Sequence, residues 1–490
     1  YINLSNLYIL ENKQITALKI LKEYLIKNSF DETIANHLGK ICINYDYKNE
    51  LLELLELTDI TKNKISEDRY YLYFIYGKFL QKNKNFLSAI NAYKHSIKCK
   101  NDFFESYFRI FYLLETTNNL IKLEKYINIA IDTFNERRQI YIINFYRAIF
   151  FNRNKNFKLS KEIIRDNNLE TNLNFNTNLF IRLHDLLSKN NEKLNKFSKS
   201  FYYVEKRNQL IFNLEVNKKY NRNDIINTMK KYKSFFTFEK YNKIKRISEK
   251  IKIEKELVFL VGFPRSGTTL LDTILRTHNS IEVIEEKPIV QELIDYVKTK
   301  TNDNISNLEK IDRNYYDKIR NIYFKKRNEY IKFDKKKIYI DKLPLNLIFI
   351  GEIYRFFPNA KFIFALRNPY DTILSCFMQQ FAPNDAMMNF TSLEDASTFY
   401  DLSMSLYRKY HKLFKSNIFE IKYEDVVTDF DNSIKKLLKF LGLEWEEGVR
   451  KFYQTASKRG IISTPSYNQV NKPIYKKSIN RWKNYEDKFE

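Results

Sequence analysis

Glycine and proline are scarce, at 8 residues each in a chain of 490. Little therefore interrupts a helix over long stretches. Cysteine is rarer still. Cys42, Cys99 and Cys376 are far apart, odd in number and without a C-x-x-C pair. That pattern excludes a disulfide framework and a cysteine-based zinc site, and it leads us to expect a reducing, cytoplasmic setting. No apolar run approaches the roughly 18 residues needed for a membrane-spanning helix. The first residues, Tyr1-Ile-Asn-Leu-Ser, do not read as a signal peptide. What is present suits folded domains: 44% of residues are apolar and 29% charged, and the length leaves room for two or three domains. The formal net charge is +25, from 84 Lys and Arg against 59 Asp and Glu. Such a charge suits a polyanionic partner. However, Lys, Asn, Ile, Tyr and Phe, all with A/T-rich codons, dominate throughout, and the lysines are dispersed. Base-composition drift accounts for this bias, and no nucleic-acid partner is expected.

Residues 1–215 read as helices throughout. Tyr73, Tyr76, Gly77 and Leu80, followed by Ala89, Tyr93, Ser96 and Asn101, resemble a tetratricopeptide repeat position by position. The next unit begins at Tyr107, 34 residues after Tyr73, and continues through Phe111, Leu114, Leu123, Ile127 and Ala130. Ala17, Leu21 and Leu38-Gly39 fit an earlier unit. Ala148, Phe151, Ser160 and Ile164 fit a later one, and residues 180–210 a further, worn one. A Lys-rich helical connection over 216–255 follows. Beyond Glu256, short apolar runs (257–261, 337–340, 361–366 and 418–421) alternate with helical stretches. That grammar predicts a parallel sheet covered by helices over 256–490. The expected fold is an α-helical solenoid, a helical linker and an α/β domain.

The run Leu257-Val-Phe-Leu-Val261 leads into Gly262-Phe-Pro-Arg-Ser-Gly267-Thr-Thr, with a helix following to about His278. A strand, a glycine-bounded loop and a helix N-terminus form a phosphate cradle. The spacing is that of G-x-x-x-x-G-K-[ST], but Thr268 stands where the lysine belongs. That lysine reaches the β/γ-phosphates of a nucleoside triphosphate. In addition, Arg367, not an acid, follows the run 361–366. The loop therefore suits a short anionic group rather than a metal-bound triphosphate, and Arg265 adds a donor fork within it.

This loop resembles the 5′-phosphosulfate loop of sulfotransferases that use 3′-phosphoadenosine-5′-phosphosulfate (PAPS). The resemblance covers 256–490 and is strongest to the tyrosylprotein sulfotransferases and to bacterial chains that place tetratricopeptide repeats before such a domain. It implies PAPS as sulfuryl donor, leaving as 3′,5′-ADP, with no metal. The loop residues Arg265, Ser266, Gly267, Thr268 and Thr269 would hold the 5′ end. Arg367 and Ser375, in Phe362-Ile-Phe-Ala-Leu-Arg367-Asn-Pro-Tyr-Asp-Thr-Ile-Leu-Ser375, would bind the 3′-phosphate. The family's catalytic glutamate falls on Glu286 and its stabilising lysine on Lys342. Tyr423 matches the aromatic that contacts the nucleotide. Within Ser466-Tyr-Asn-Gln-Val-Asn-Lys-Pro-Ile-Tyr475, a segment that covers the cofactor, Ser466, Gln469, Val470, Lys472 and Tyr475 are carried over. Arg481 takes a basic cofactor-binding position. A family arginine four residues after the serine is Gln379 here, one charge fewer at the 3′-phosphate site.

The expected chemistry is an in-line displacement at sulfur, with Glu286 as general base and Lys342 and Ser466 stabilising the leaving oxygen. If Glu285 lies close to Glu286, like-charge repulsion would raise the proton affinity of the base. Histidine is the competing base. His278 reads as a helix-terminal cap and His411 as a surface residue. The acceptor is a hydroxyl. A tyrosine of a protein or peptide held by the repeats is one candidate, and a carbohydrate or small molecule is another. The alternative is a repeat scaffold carrying an inactive domain.

Overall fold

The computed structural model describes residues 1–28, 31–58, 69–248, 257–311, 314–454, 474 and 478–489. The chain divides into two compact units, Tyr1–Tyr203 and Val204–Glu490.

The first unit is built of helix pairs: Ile2–Leu10 with Gln14–Lys27, Glu32–Asn44 with Lys48–Leu57, Tyr70–Lys82 with Phe86–Cys99, Phe104–Thr116 with Leu120–Thr133, and Arg137–Arg153 with Phe157–Asp166. Each pair is joined by a short turn holding one left-handed residue: Asn12, Asp46, Lys84, Asn118 or Lys155, with φ between 52° and 63°. Lys84 and Asn118 are 34 residues apart, so the sequence period corresponds to one helix pair. Three of the turns end on an asparagine N-cap. Asn85, Asn119 and Asn156 accept the backbone N–H groups of Ser88, Lys122 and Leu159. Gly77 lies against Tyr93, and a Cβ there would stand 2.5 Å from the ring. The small residue is what lets these two helices approach.

The second unit holds one parallel five-stranded sheet: β1 (Val258–Gly262), β2 (Ile281–Glu285), β3 (Ile338–Lys342), β4 (Lys361–Leu366) and β5 (Ile418–Lys422), in the order β2-β3-β1-β4-β5. β2 is absent from the runs expected above, because its Ile-Glu-Val-Ile-Glu pattern interrupts the apolar signal. Alternate residues feed two cores. Phe259, Val261, Phe362 and Phe364 join one, and Val258, Leu260, Ile363 and Ala365 the other.

The compact units divide at 203/204, where the sequence led us to expect a boundary at 215/216, and the described part of the expected linker, residues 216–248, falls in the second unit. Its helix α1 (Arg222–Phe235) buries Met229, Tyr232 and Phe235 in the first of these cores, and Phe236 follows them there. Phe236 fills the space above Gly351, where a Cβ would come within 2.5 Å of its ring. The many lysines on the outer face of α1 give it the composition of a connection, while its inner face is apolar. Helices α2 (Thr268–Leu275) and α3 (Pro369–Phe377) follow β1 and β4 directly.

Candidate active site

Every strand of the sheet delivers a candidate residue at its C-terminal end. β1 ends in the loop through Gly267, β2 in Glu286, β3 in Lys342, β4 in Arg367 and β5 in Tyr423. In a parallel sheet with this topology, that edge is where ligands are held. A cavity of about 510 Å³ opens there, lined by Arg265, Gly267, Thr268, Thr269, Glu286, Arg367, Ser375, Tyr423 and Arg481 among others.

Close packing shapes the loop. A Cβ on Gly262 would stand 2.7 Å from the Ala365 carbonyl oxygen. Gly267 has φ +102°, and a Cβ there would come within 2.9 Å of the Tyr423 ring. Arg265 also adopts a left-handed backbone, at φ 68°. Its Nε donates to Ser375 Oγ on α3 at 3.1 Å, so two residues distant in sequence meet in the cavity. Arg367 braces the loop. Nη1 donates to the Arg265 carbonyl at 3.1 Å and Nη2 to the Ser478 carbonyl at 2.6 Å. The guanidinium lies 4.8 Å from the centre of the Tyr423 ring. The Arg367 Nε is buried with no hydrogen-bond partner. Cys376 Sγ donates to the Pro264 carbonyl at 3.2 Å, tying α3 to the loop.

Lys342 is fully buried, and its ammonium is shared by three carboxylates. Nζ lies 2.8 Å from Glu286, 3.5 Å from Glu285 and 3.8 Å from Asp272. Asp272, one turn into α2, is also fully buried, and it holds Arg276 at 2.7 Å. Glu286 sits at φ 49°, an uncommon backbone for a non-glycine residue, and its N–H donates to the Lys342 carbonyl at 2.8 Å. That turn directs its side chain, 35% exposed, into the cavity. Glu285 and Glu286 thus converge on one cation. Lys342 does not line the cavity and stands behind Glu286.

Ser266 is buried, and its Oγ has no hydrogen-bond partner. Arg481 places Nη2 3.0 Å from Met378 Sδ. Its segment is anchored by Asp371, which accepts the N–H groups of Asn480 and Trp482 at 2.8 and 2.9 Å, and by Trp482 stacking on Tyr370. Gln379 donates to the Gln380 carbonyl at 2.9 Å and does not reach the cavity. Ser466, Gln469, Val470, Lys472 and Tyr475 lie outside the described residues. Neither histidine of this unit lines the cavity. His278 accepts the Ser280 N–H at Nδ1 and meets the Glu444 carbonyl at Nε2, both at 3.1 Å. His411 is half-buried 3.8 Å from Glu420, and so less exposed than the sequence suggested. Sequence reasoning did not single out Asp272, Asp371 or Asn346. Asn346 also lines the cavity, at 2% exposure and with its Nδ2 unpartnered. All three depend on tertiary placement and have no motif of their own.

Residues 258–447 match the model of the sulfotransferase family. The chain carries a sulfotransferase-family domain. An uncharacterized protein of Aquifex aeolicus (strain VF5) is 28% identical over 312 residues, covering 62% of this chain and 39% of that protein. Protein-tyrosine sulfotransferase 2 of Gallus gallus is 23% identical over 237 residues, covering 47% of this chain and 63% of that protein. The chain thus spans less than two thirds of the length of either relative. Among solved structures, the sulfotransferase domain from the Synechococcus PCC 7002 olefin synthase aligns at 20% identity and a TM-score of 0.32, covering 48% of this chain and 89% of that one. The matched stretch contains Arg265, Gly267, Glu286, Lys342, Arg367, Ser375 and Tyr423, while Ser478, Asn480, Arg481 and Trp482 lie beyond residue 447.

Proposed function

We propose that this chain transfers the sulfuryl group of PAPS to a hydroxyl acceptor. The observation that carries the reading is the pairing of a phosphate cradle lacking the P-loop lysine with three guanidinium groups, Arg265, Arg367 and Arg481, in one cavity beside Glu286. Those residues fit an adenosine bisphosphate bearing a sulfuryl group. Gly267 leaves backbone room at the loop, and Thr268 and Thr269 open α2 at its positive end. The unpartnered Arg367 Nε leaves a donor for the 3′-phosphate next to Ser375. Tyr423 offers a ring to the nucleotide.

PAPS, when bound, supplies a sulfuryl group on a phosphate leaving group. The protein's part is to position and neutralise. Glu286 takes the proton of the acceptor hydroxyl as that oxygen attacks. The Lys342 ammonium, donating to the same carboxylate at 2.8 Å, fixes its orientation and keeps positive charge next to the reacting centre. Arg265 and Arg367 balance the charge left on the departing nucleotide.

In this reading the helix pairs of the first unit are tetratricopeptide repeats. Their support is the recurrent left-handed turn, at intervals of 34 residues from Asn12 to Asp46 and from Lys84 to Asn118, and the Gly77–Tyr93 contact. Such repeats bind peptides. A protein acceptor, and tyrosine as its sulfated residue, draws support from the relatives named protein-tyrosine sulfotransferases. The test is transfer of label from ³⁵S-PAPS to tyrosine-containing peptides and simple phenols. We expect transfer by the parent chain and a loss of at least a hundredfold in Glu286→Gln. A folded parent that labels no hydroxyl compound contradicts the proposal.

A further inference from the structure

Outside the cradle, three segments contribute to the cavity wall together with Gln291, Val427 and Phe452: α1, the turn Pro344–Phe349 after β3, and residues 381–387. These segments form one surface. The ring of Tyr232 on α1 lies 5.8 Å from that of Phe349. The N–H of Asn221, which caps α1, donates to Asp385 at 2.8 Å, and Asn389 donates to the Arg222 carbonyl at 3.2 Å. Into the cavity this wall presents Ile225, Leu345, Phe349 and Met387. All cations among the described lining residues belong to the nucleotide cradle, and away from it the only charged lining groups are the carboxylates of Glu286 and Asp385. Asn346 stands in the same wall. It is 2% exposed, and its Nδ2 has no hydrogen-bond partner. A buried donor left unpaired is costly, so a ligand that satisfies it gains affinity.

We infer that this wall is the acceptor subsite, that the Asn346 amide hydrogen-bonds the acceptor, and that the acceptor is a neutral or cationic hydroxyl compound with an apolar body, of the phenol class, rather than an acidic peptide or an anionic saccharide. The inference rests on the sulfuryl-transfer reading. An apolar wall accepts a ring or alkyl body through its area. A carboxylate at the rim attracts an ammonium and repels an acid.

The test compares phenols of matched shape as acceptors for PAPS with the full chain: tyramine, 4-ethylphenol and 3-(4-hydroxyphenyl)propionate, with an acidic tyrosine peptide and a sulfated disaccharide alongside. Binding of 3′,5′-ADP is measured separately. We expect tyramine and 4-ethylphenol to show KM values at least fivefold below that of the propionate. Asp385→Asn keeps an acceptor for the Asn221 N–H while removing the charge, and should shrink the ratio between tyramine and the propionate to about two. Asn346→Ala should raise the phenol KM about tenfold with 3′,5′-ADP affinity unchanged. Preference for the propionate or the acidic peptide, or turnover of the saccharide alone, overturns the inference. So does an unchanged phenol KM in Asn346→Ala, or a parallel loss of nucleotide affinity that marks Asn346 as structural. If 3′,5′-ADP binds and no phenol reacts, the subsite assignment fails while the nucleotide reading stands. If 3′,5′-ADP does not bind, both fail.

Discussion

Replacing Lys342 by methionine separates its structural work from its chemical work. The ammonium is fully buried against Glu286, Glu285 and the fully buried Asp272. Removing one partner of a buried ion cluster costs about 3–5 kcal/mol, because the remaining charges lose their compensation. Here Arg276 still holds Asp272 at 2.7 Å, and Glu286 reaches solvent. Those two escapes put the expected loss near the lower end, at about 3 kcal/mol. For a domain of this size, 1 kcal/mol corresponds to roughly 2–4 °C, so the midpoint of the second unit should fall by about 6–12 °C. Turnover should be lost as well, while 3′,5′-ADP affinity stays within about threefold, since Lys342 does not line the cavity. Glu286→Gln is the contrast. It keeps an acceptor for Lys342 at a partly exposed position, so its melting should move by less than about 2 °C while turnover collapses. Thermal unfolding followed by calorimetry reads both variants. A Lys342→Met chain that melts within a degree of the parent refutes the view that the ammonium compensates buried charge.

Gly267→Ala forces a side chain into φ +102° and against the Tyr423 ring at 2.9 Å, and should weaken 3′,5′-ADP binding at least tenfold. Unchanged affinity in a titration would remove the loop from the nucleotide site. Burial pushes the Asp341 carboxyl up to about 7, while its Oδ2 accepts the Tyr323 hydroxyl at 3.1 Å. A folded-state value above the unfolded one, about 3.9, means that the stability it contributes is full at acid pH and is lost as pH rises through 7. Asp341→Asn stays neutral and keeps the acceptor. Urea midpoints should therefore move in the variant's favour by roughly 2 kcal/mol between pH 5 and pH 8, and a gap independent of pH contradicts this.

The sequence carries most where a function is written in contiguous residues. The loop Gly262–Gly267 has a distinctive run and so does the segment from Arg367 to Ser375, and the structure brings Arg265 and Ser375 within hydrogen-bonding distance. The 34-residue step from Tyr73 to Tyr107 is legible because the turns of the two successive helix pairs, at Lys84 and Asn118, keep the same interval. Other features are written only in three dimensions. Asp272 reads as an ordinary helical acid until parallel pairing sets Lys342 opposite Glu285. β2 is hidden because its glutamates break the apolar run, although its inward residues are buried. The helix Arg222–Phe235 reads as a connection because its lysines face outward, while Met229, Tyr232 and Phe235 meet the core. Asn346 carries no motif, and only burial without a partner distinguishes it from a surface amide.

The central claim is that the cavity holds an adenosine bisphosphate rather than a metal-bound triphosphate. Titration calorimetry of the full chain with 3′,5′-ADP, and with magnesium-ATP as comparison, tests it most directly. The account predicts micromolar or tighter binding of 3′,5′-ADP that does not require magnesium, and binding of magnesium-ATP at least a hundredfold weaker. A preference for magnesium-ATP, or no binding of 3′,5′-ADP by a chain that unfolds cooperatively, would contradict it.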